Sequence, residues 1–103
     1  APDAIVNWHC TNECFTAAEF IRANCEYPGQ WAGEIQRTEP IPGGVAAAVH
    51  VYTADGSASF HVVSFARISE GKIHQLDEYW GDDGPAPEWR QKLKIGRSIR
   101  SSI

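Results

Sequence analysis

No apolar run in this 103-residue chain approaches the length needed to cross a bilayer, which excludes an integral protein with helical spans. Positive charge is also short. Nine Lys and Arg stand against thirteen Asp and Glu, a net charge of -4, so there is no basic face to lay on nucleic-acid phosphates. No basic-then-apolar leader is visible, and the chain opens at Ala1 rather than Met; it is expected to be processed, truncated or begun inside a longer gene. Cysteine is scarce and odd in number: Cys10, Cys14 and Cys25. Without an export signal, reduced thiols in a cytoplasmic protein are the expectation, with a Cys10–Cys14 or Cys14–Cys25 disulfide left open by spacing alone. Adjacent strand residues face opposite ways, so His9 does not serve Cys10 as a base, and all three cysteines read as buried and inert. His9-Cys10…Cys14 lacks the second close pair of a zinc site. No metal and no cofactor are expected. There are no internal repeats and no low-complexity segments.

What the chain does contain is ordinary globular material, 43% hydrophobic and 21% charged, enough for a single domain over residues 1–103. "AIVNWHC" reads as a strand from Ala4 to Cys10, and "TNEC" as a turn. Thr16 with Glu19 three residues on forms a capping box, and a helix from Ala17 to Cys25 follows, ended by Pro28-Gly29. Ala17, Phe20, Ile21 and Cys25 recur at helical spacing and predict one buried stripe. "WAGEIQRTEPI" is an edge-like strand with Pro40 near its end. "VAAAVHVYT", "ASFHVVSFARI" and "IHQLDEYW" are three long strands, joined by "ADGS" and "SEGK" turns. Beyond Gly81 the pattern breaks: "APEWRQKL" allows one helical turn, and residues 84–103 read as a loosely packed tail. The basic tail, with Arg90, Lys92, Lys94, Arg97 and Arg100, balances the acidic "GDDG" or stays solvated. The whole is α+β, an antiparallel meander packed on a helix.

Each hairpin turn sets which side chains share a face. A two-residue Asp55-Gly56 turn pairs Val51 with Phe60, Val49 with Val62 and Ala47 with Ser64. A three-residue turn with Gly71 bulged then pairs Ser64 with Leu76, Val62 with Glu78 and Phe60 with Trp80, and sets His74 opposite Ala66. One face thus holds Val49, Val51, Phe60, Val62, Ser64, Leu76, Trp80 and a lone carboxylate, Glu78. The other holds His50, His61, Val63, Phe65, Asp77 and Tyr79. A slip of one residue would exchange Glu78 for Asp77.

"GKIHQLDEYW" after a strand ending "SFARI", with "PDAIVNW" upstream, resembles the nuclear transport factor 2-like superfamily, nearest to its SnoaL-like, ketosteroid-isomerase-like branch. The resemblance covers about Ala1 to Asp83. It implies a strongly curved antiparallel sheet wrapped around helices into a cone, with a pocket between, and a homodimer through the outer sheet face. Members of the family usually begin with one long and one short helix ahead of the strand that "PDAIVNW" resembles. Those helices are absent, so the chain is expected to be a fragment or to have its cone closed by a partner chain. In ketosteroid isomerases a carboxylate base stands on the strand that Trp8 occupies, an acidic donor stands where Ser64 falls, and a phenol comes from the missing first helix. None of these is matched, so the resemblance implies fold and pocket and argues against that isomerase mechanism.

Glu78 is the candidate catalytic group, as general acid or base, with His74 or Ser64 assisting. Desolvation beside Trp80, Val62 and Phe60 would raise its pKa toward the working range. The bland alternative is a structural carboxylate paired with Arg22, His74 or a backbone donor. Trp8, Trp31, Phe60, Val62, Ser64, His74, Leu76 and Trp80 are the candidate lining of a site for a small apolar molecule. Phe20 and Tyr27 are further aromatic candidates, with Phe20 assigned to the helix–sheet core. His50 and His61, opposite each other on the outer face, suit a face covered by another subunit better than a metal. The competing function is a non-catalytic ligand-binding or dimerisation module. Two or more ionisable groups converging inside the cone favour an enzyme, and a single satisfied carboxylate favours a binder.

Overall fold

In a computed structural model that describes residues 3–26 and 29–99, six strands form one mixed sheet beside two short helices. The elements in chain order are β1 (Ile5–Trp8), β2 (Glu13–Thr16), α1 (Ala17–Glu26), β3 (Trp31–Ile41), β4 (Gly44–Thr53), β5 (Ser59–Ser69), β6 (Lys72–Asp82) and α2 (Glu88–Lys92). The sheet order is β2-β1-β6-β5-β4-β3. The predicted meander is β3 to β6, antiparallel throughout. Two expectations need correcting. The sheet is mixed, because β1 pairs parallel with β6. "TNEC" is no mere turn, since Glu13 onward pairs back on β1 as an edge strand. The expectations for Ala1, Tyr27, Pro28 and Arg100 fall outside the described residues.

The capping box forms as written. The Thr16 N–H donates to Glu19 Oε1 at 2.9 Å, and the Glu19 N–H donates to Thr16 Oγ1 at 3.2 Å. The stripe that follows is not buried: α1 has no buried residue, and Ile21 is 61% exposed. The helix meets only β1 and β2 at the sheet's end, so half-buried Ala17, Phe20 and Ala23 face the sheet while Ile21 and Cys25 face out. The cysteines are not buried either: all three are free and exposed, Cys10 in the loop after β1, Cys14 on the edge strand β2 and Cys25 on the outward side of α1.

The β4–β5 register is the predicted one, with Val51 opposite Phe60 and Val49 opposite Val62. The β5–β6 register departs by two residues: Ser64 faces Glu78, Val62 faces Trp80 and Phe60 faces Asp82. Two separate one-residue changes add up to that shift. The turn has two residues rather than three, Glu70 and Gly71, both at positive φ (53° and 73°), the arrangement that matches strand twist in tight hairpins. A bulge then follows, where the partners of Ile68 and Arg67 jump from Ile73 to Gln75 and leave His74 as the extra residue. Since side chains alternate, an even shift changes partners but not faces.

The core is thin. Val6, Val62 and Ala66 are buried, together with Thr53 and Glu78. Val6, Glu78, Val62 and Ala66 lie on the inner sheet face where β1, β6 and β5 run side by side, while Thr53 closes the far end of β4 opposite Trp31. Among the described elements, α2 touches no other.

Candidate functional site

The inner face is built in rungs across neighbouring strands. One rung runs Trp8–Glu78–Ser64–Ala47, the next Trp80–Val62–Val49, and the next Asp82–Phe60–Val51. Rung neighbours stand about 5 Å apart at Cβ, within reach of one another's polar tips. Glu78 therefore has its donors on either side. Trp8 Nε1–H donates to Oε1 at 3.0 Å, and the Ser64 hydroxyl donates to Oε2 at 2.7 Å. At 7% exposure the carboxylate is desolvated and held by one hydrogen bond per oxygen. The pairings expected with Arg22 or His74 do not form. Arg22 pairs with Glu26 on its own helix. His74 sits exposed at the bulge, its ring nitrogen 3.2 Å from the Ser69 carbonyl oxygen.

Beside this rung lies a hollow of about 380 Å³ lined by Trp8, Cys10, Thr11, Ala23, Asn24, Trp31, Val51, Phe60, Trp80 and Asp82. Of the residues named from sequence, Trp8, Trp31, Phe60 and Trp80 stand in this wall. Val62 is buried in the sheet beneath it, and Leu76 is half-buried one rung from Glu78. The aromatic rings form a continuous row. Trp31 stacks on Phe60 (5.8 Å, 28°), Phe60 meets Trp80 edge-on (6.1 Å, 84°), Trp80 meets Trp8 (5.9 Å, 68°), and Trp8 meets Phe15 (4.7 Å) and Phe20 (6.2 Å). Trp80 Nε1–H is buried without a hydrogen-bond partner, which leaves a donor unsatisfied in a wall residue. Cys10 Sγ donates to the Trp80 carbonyl oxygen at 2.9 Å and pins the loop after β1 against β6. Six lining residues were not read from sequence as site residues. Val51 and Asp82 follow from carrying the period-two count to the ends of β4 and β6. Cys10 and Thr11 come from a loop, and Ala23 and Asn24 from a helix, whose placement no strand parity encodes.

The outer face carries a polar network. Asp77 accepts from Asn7 (3.0 Å), His9 (2.9 Å) and Gln75 (2.8 Å). Asp83 accepts from the Ser59 hydroxyl at 2.5 Å and from His61 Nδ1. His50 and His61 lie ring on ring at 4.8 Å and 13°, so their lone pairs lie in parallel planes rather than converging on one point. Next to this network Ile41, Pro42, Phe65, Arg67, Asp77 and Tyr79 enclose a second hollow of about 300 Å³.

No known protein-family profile and no curated protein matches the sequence. Solved structures do match. A candidate ketosteroid isomerase from Kribbella flavida DSM 17836 superposes with a TM-score of 0.77 at 25% identity, over 97% of this chain and 73% of that one. An NTF-2-like protein of unknown function from Burkholderia xenovorans LB400 gives 0.73 at 19% identity, over 97% and 77%. AclR, a candidate hydroxylase from Streptomyces galilaeus, gives 0.65 at 13% identity, over 97% and 72%. The four-stranded meander, the parallel first strand and these superpositions agree: the chain has an α+β, NTF-2-like fold.

Proposed function

We propose that this chain is a small-molecule-binding domain of the SnoaL-like, ketosteroid-isomerase-like kind, taking a flat, mostly apolar ligand into the inner hollow. The observation that carries the reading is the row of Trp8, Trp80, Phe60 and Trp31 along one hollow. Aromatic walls supply flat contact area for a flat, apolar guest. Glu78 serves this site first by holding the Trp8 indole. A thermal-shift screen of apolar acids, ketones and steroids tests the reading: a ligand at a hundred times its Kd stabilises the native state by about 2.7 kcal/mol. No shift across the set and none with apolar cations, together with unchanged tryptophan fluorescence, rules the reading out. Acid–base turnover by Glu78 with Ser64 assisting is a second reading, supported by the burial of that carboxylate beside the hollow. Its test is deuterium exchange at the α-carbon of a bound ketone, expected to vanish in Glu78→Gln.

Pairing of two copies through the outer face accompanies this reading. Val63, Phe65 and Tyr79 are 40%, 39% and 46% exposed on that face, around the second hollow. Light scattering should give twice the monomer mass, reduced to the monomer mass by Phe65→Glu; a monomer in the unsubstituted chain rejects the pairing. The exposed, unpaired thiols suit a reducing compartment such as the cytoplasm.

A further inference from the structure

We infer that the inner hollow selects a positively charged organic ligand, an alkylated ammonium rather than an acid; the inference rests on the small-molecule reading above and specifies its ligand. Ring faces carry negative charge density and attract cations, and this effect grows when the cation leaves water. Here the lining rings are not coplanar, at 84° between Phe60 and Trp80 and 68° between Trp80 and Trp8, so the wall is not one flat aromatic sheet. The electrostatics have a single sign. Asp82, the rung neighbour of Phe60, brings a carboxylate to the lining, and none of the described lining residues is Lys, Arg or His. Arg22, next in sequence to the lining residue Ala23, is engaged by Glu26. Glu78 adds a second negative charge behind Trp8. By accepting the indole N–H at 3.0 Å it also pushes electron density into that ring, which makes the face a better receptor for a cation.

An organic anion would face Asp82 with no counter-charge in the wall, and Glu78 stands behind Trp8. A hard metal ion needs six or more oxygens, which this lining does not supply. An ammonium carried on an aromatic ring meets both features at once: π faces for the ring and its head, and Asp82 for the charge.

Calorimetric titration with three matched probes tests this: (3-hydroxyphenyl)trimethylammonium, its neutral carbon isostere 3-tert-butylphenol, and 3-hydroxybenzoate. The cation is expected to bind about tenfold tighter than the isostere at low salt, with the benzoate weakest. Asp82→Asn, on an exposed strand end, should cut the preference by roughly threefold without changing the fold. Equal or tighter binding of the isostere or the benzoate overturns the charge selection and leaves the small-molecule reading standing. No binding of any probe, combined with no stabilising compound in the thermal-shift screen, overturns both.

Discussion

Glu78 shows how much one side chain depends on its rung. Its two oxygens take one proton donor each, from Trp8 on the parallel strand and Ser64 on the antiparallel one. Glu78→Gln can keep both contacts, with its carbonyl accepting from Trp8 and its amide donating to the Ser64 hydroxyl. The expected cost is about 1 to 2 kcal/mol, read from urea melts. Trp8→Phe strands the buried carboxylate without its indole donor and is expected to cost more, about 3 kcal/mol. The reverse order would mean that the carboxylate is not held by the indole. That an acid would stand on the apolar face was legible in the alternation of β6. That its partners would be an indole and a serine was not: the parallel pairing of β1 with β6 joins residues seventy positions apart, and the turn and bulge shift the β5–β6 register.

At the scale of the element, the bulge in β6 decides which acid faces inward. A two-residue turn at Glu70-Gly71 alone would set Asp77 opposite Ser64; the extra residue at His74 restores Glu78 to that place. Deleting His74 should therefore abolish the cooperative unfolding transition, whereas His74→Ala, at an exposed side chain, should cost under about 0.5 kcal/mol. Equal effects of the two changes would refute this account of the register. A second fixed point lies at the start of β4, where a Cβ on Gly44 would lie 1.8 Å from the Ala66 carbonyl oxygen. Gly44→Ala is expected to cost about 3 kcal/mol in the same melts, since neighbouring backbone must move. The strands themselves were readable from period-two patterning and turn residues. The bulge was not, because nothing in "KIHQL" distinguishes a residue that pairs from one that is passed over.

For the molecule as a whole, the accessible surface of 8067 Å² exceeds the roughly 5,800 Å² expected of a compact chain of this size. Little is buried by α1 or α2, and the polar network on the outer face adds side-chain contacts to the backbone ladders that join β1, β5 and β6. Burial pushes Asp77 up, but hydrogen bonds from Asn7, His9 and Gln75 outweigh it and hold the carboxyl below its usual range. Asp83 is held low chiefly by the Ser59 hydroxyl, with His61 adding to it against a burial effect of opposite sign. A carboxyl lowered in the native state stabilises it above the unfolded value near pH ~3.9, and that contribution fades as pH falls through the native value. Melting temperature should thus drop below about pH 4, and the drop should be shallower in an Asp77→Asn, Asp83→Asn double variant. An unchanged acid limb in that variant would count against the network.

The strands, the capped helix and the two faces of the sheet can be read from neighbouring residues, because alternation and turn chemistry are local and survive an even register shift. The parallel placement of β1, the partners of Glu78, the exposure of the helix stripe and thiols, and the loop and helix residues of the hollow emerge only once the chain is folded. Each of these depends on which distant segments meet, and on how little of the sheet α1 covers, and neither is written in any window of neighbouring residues.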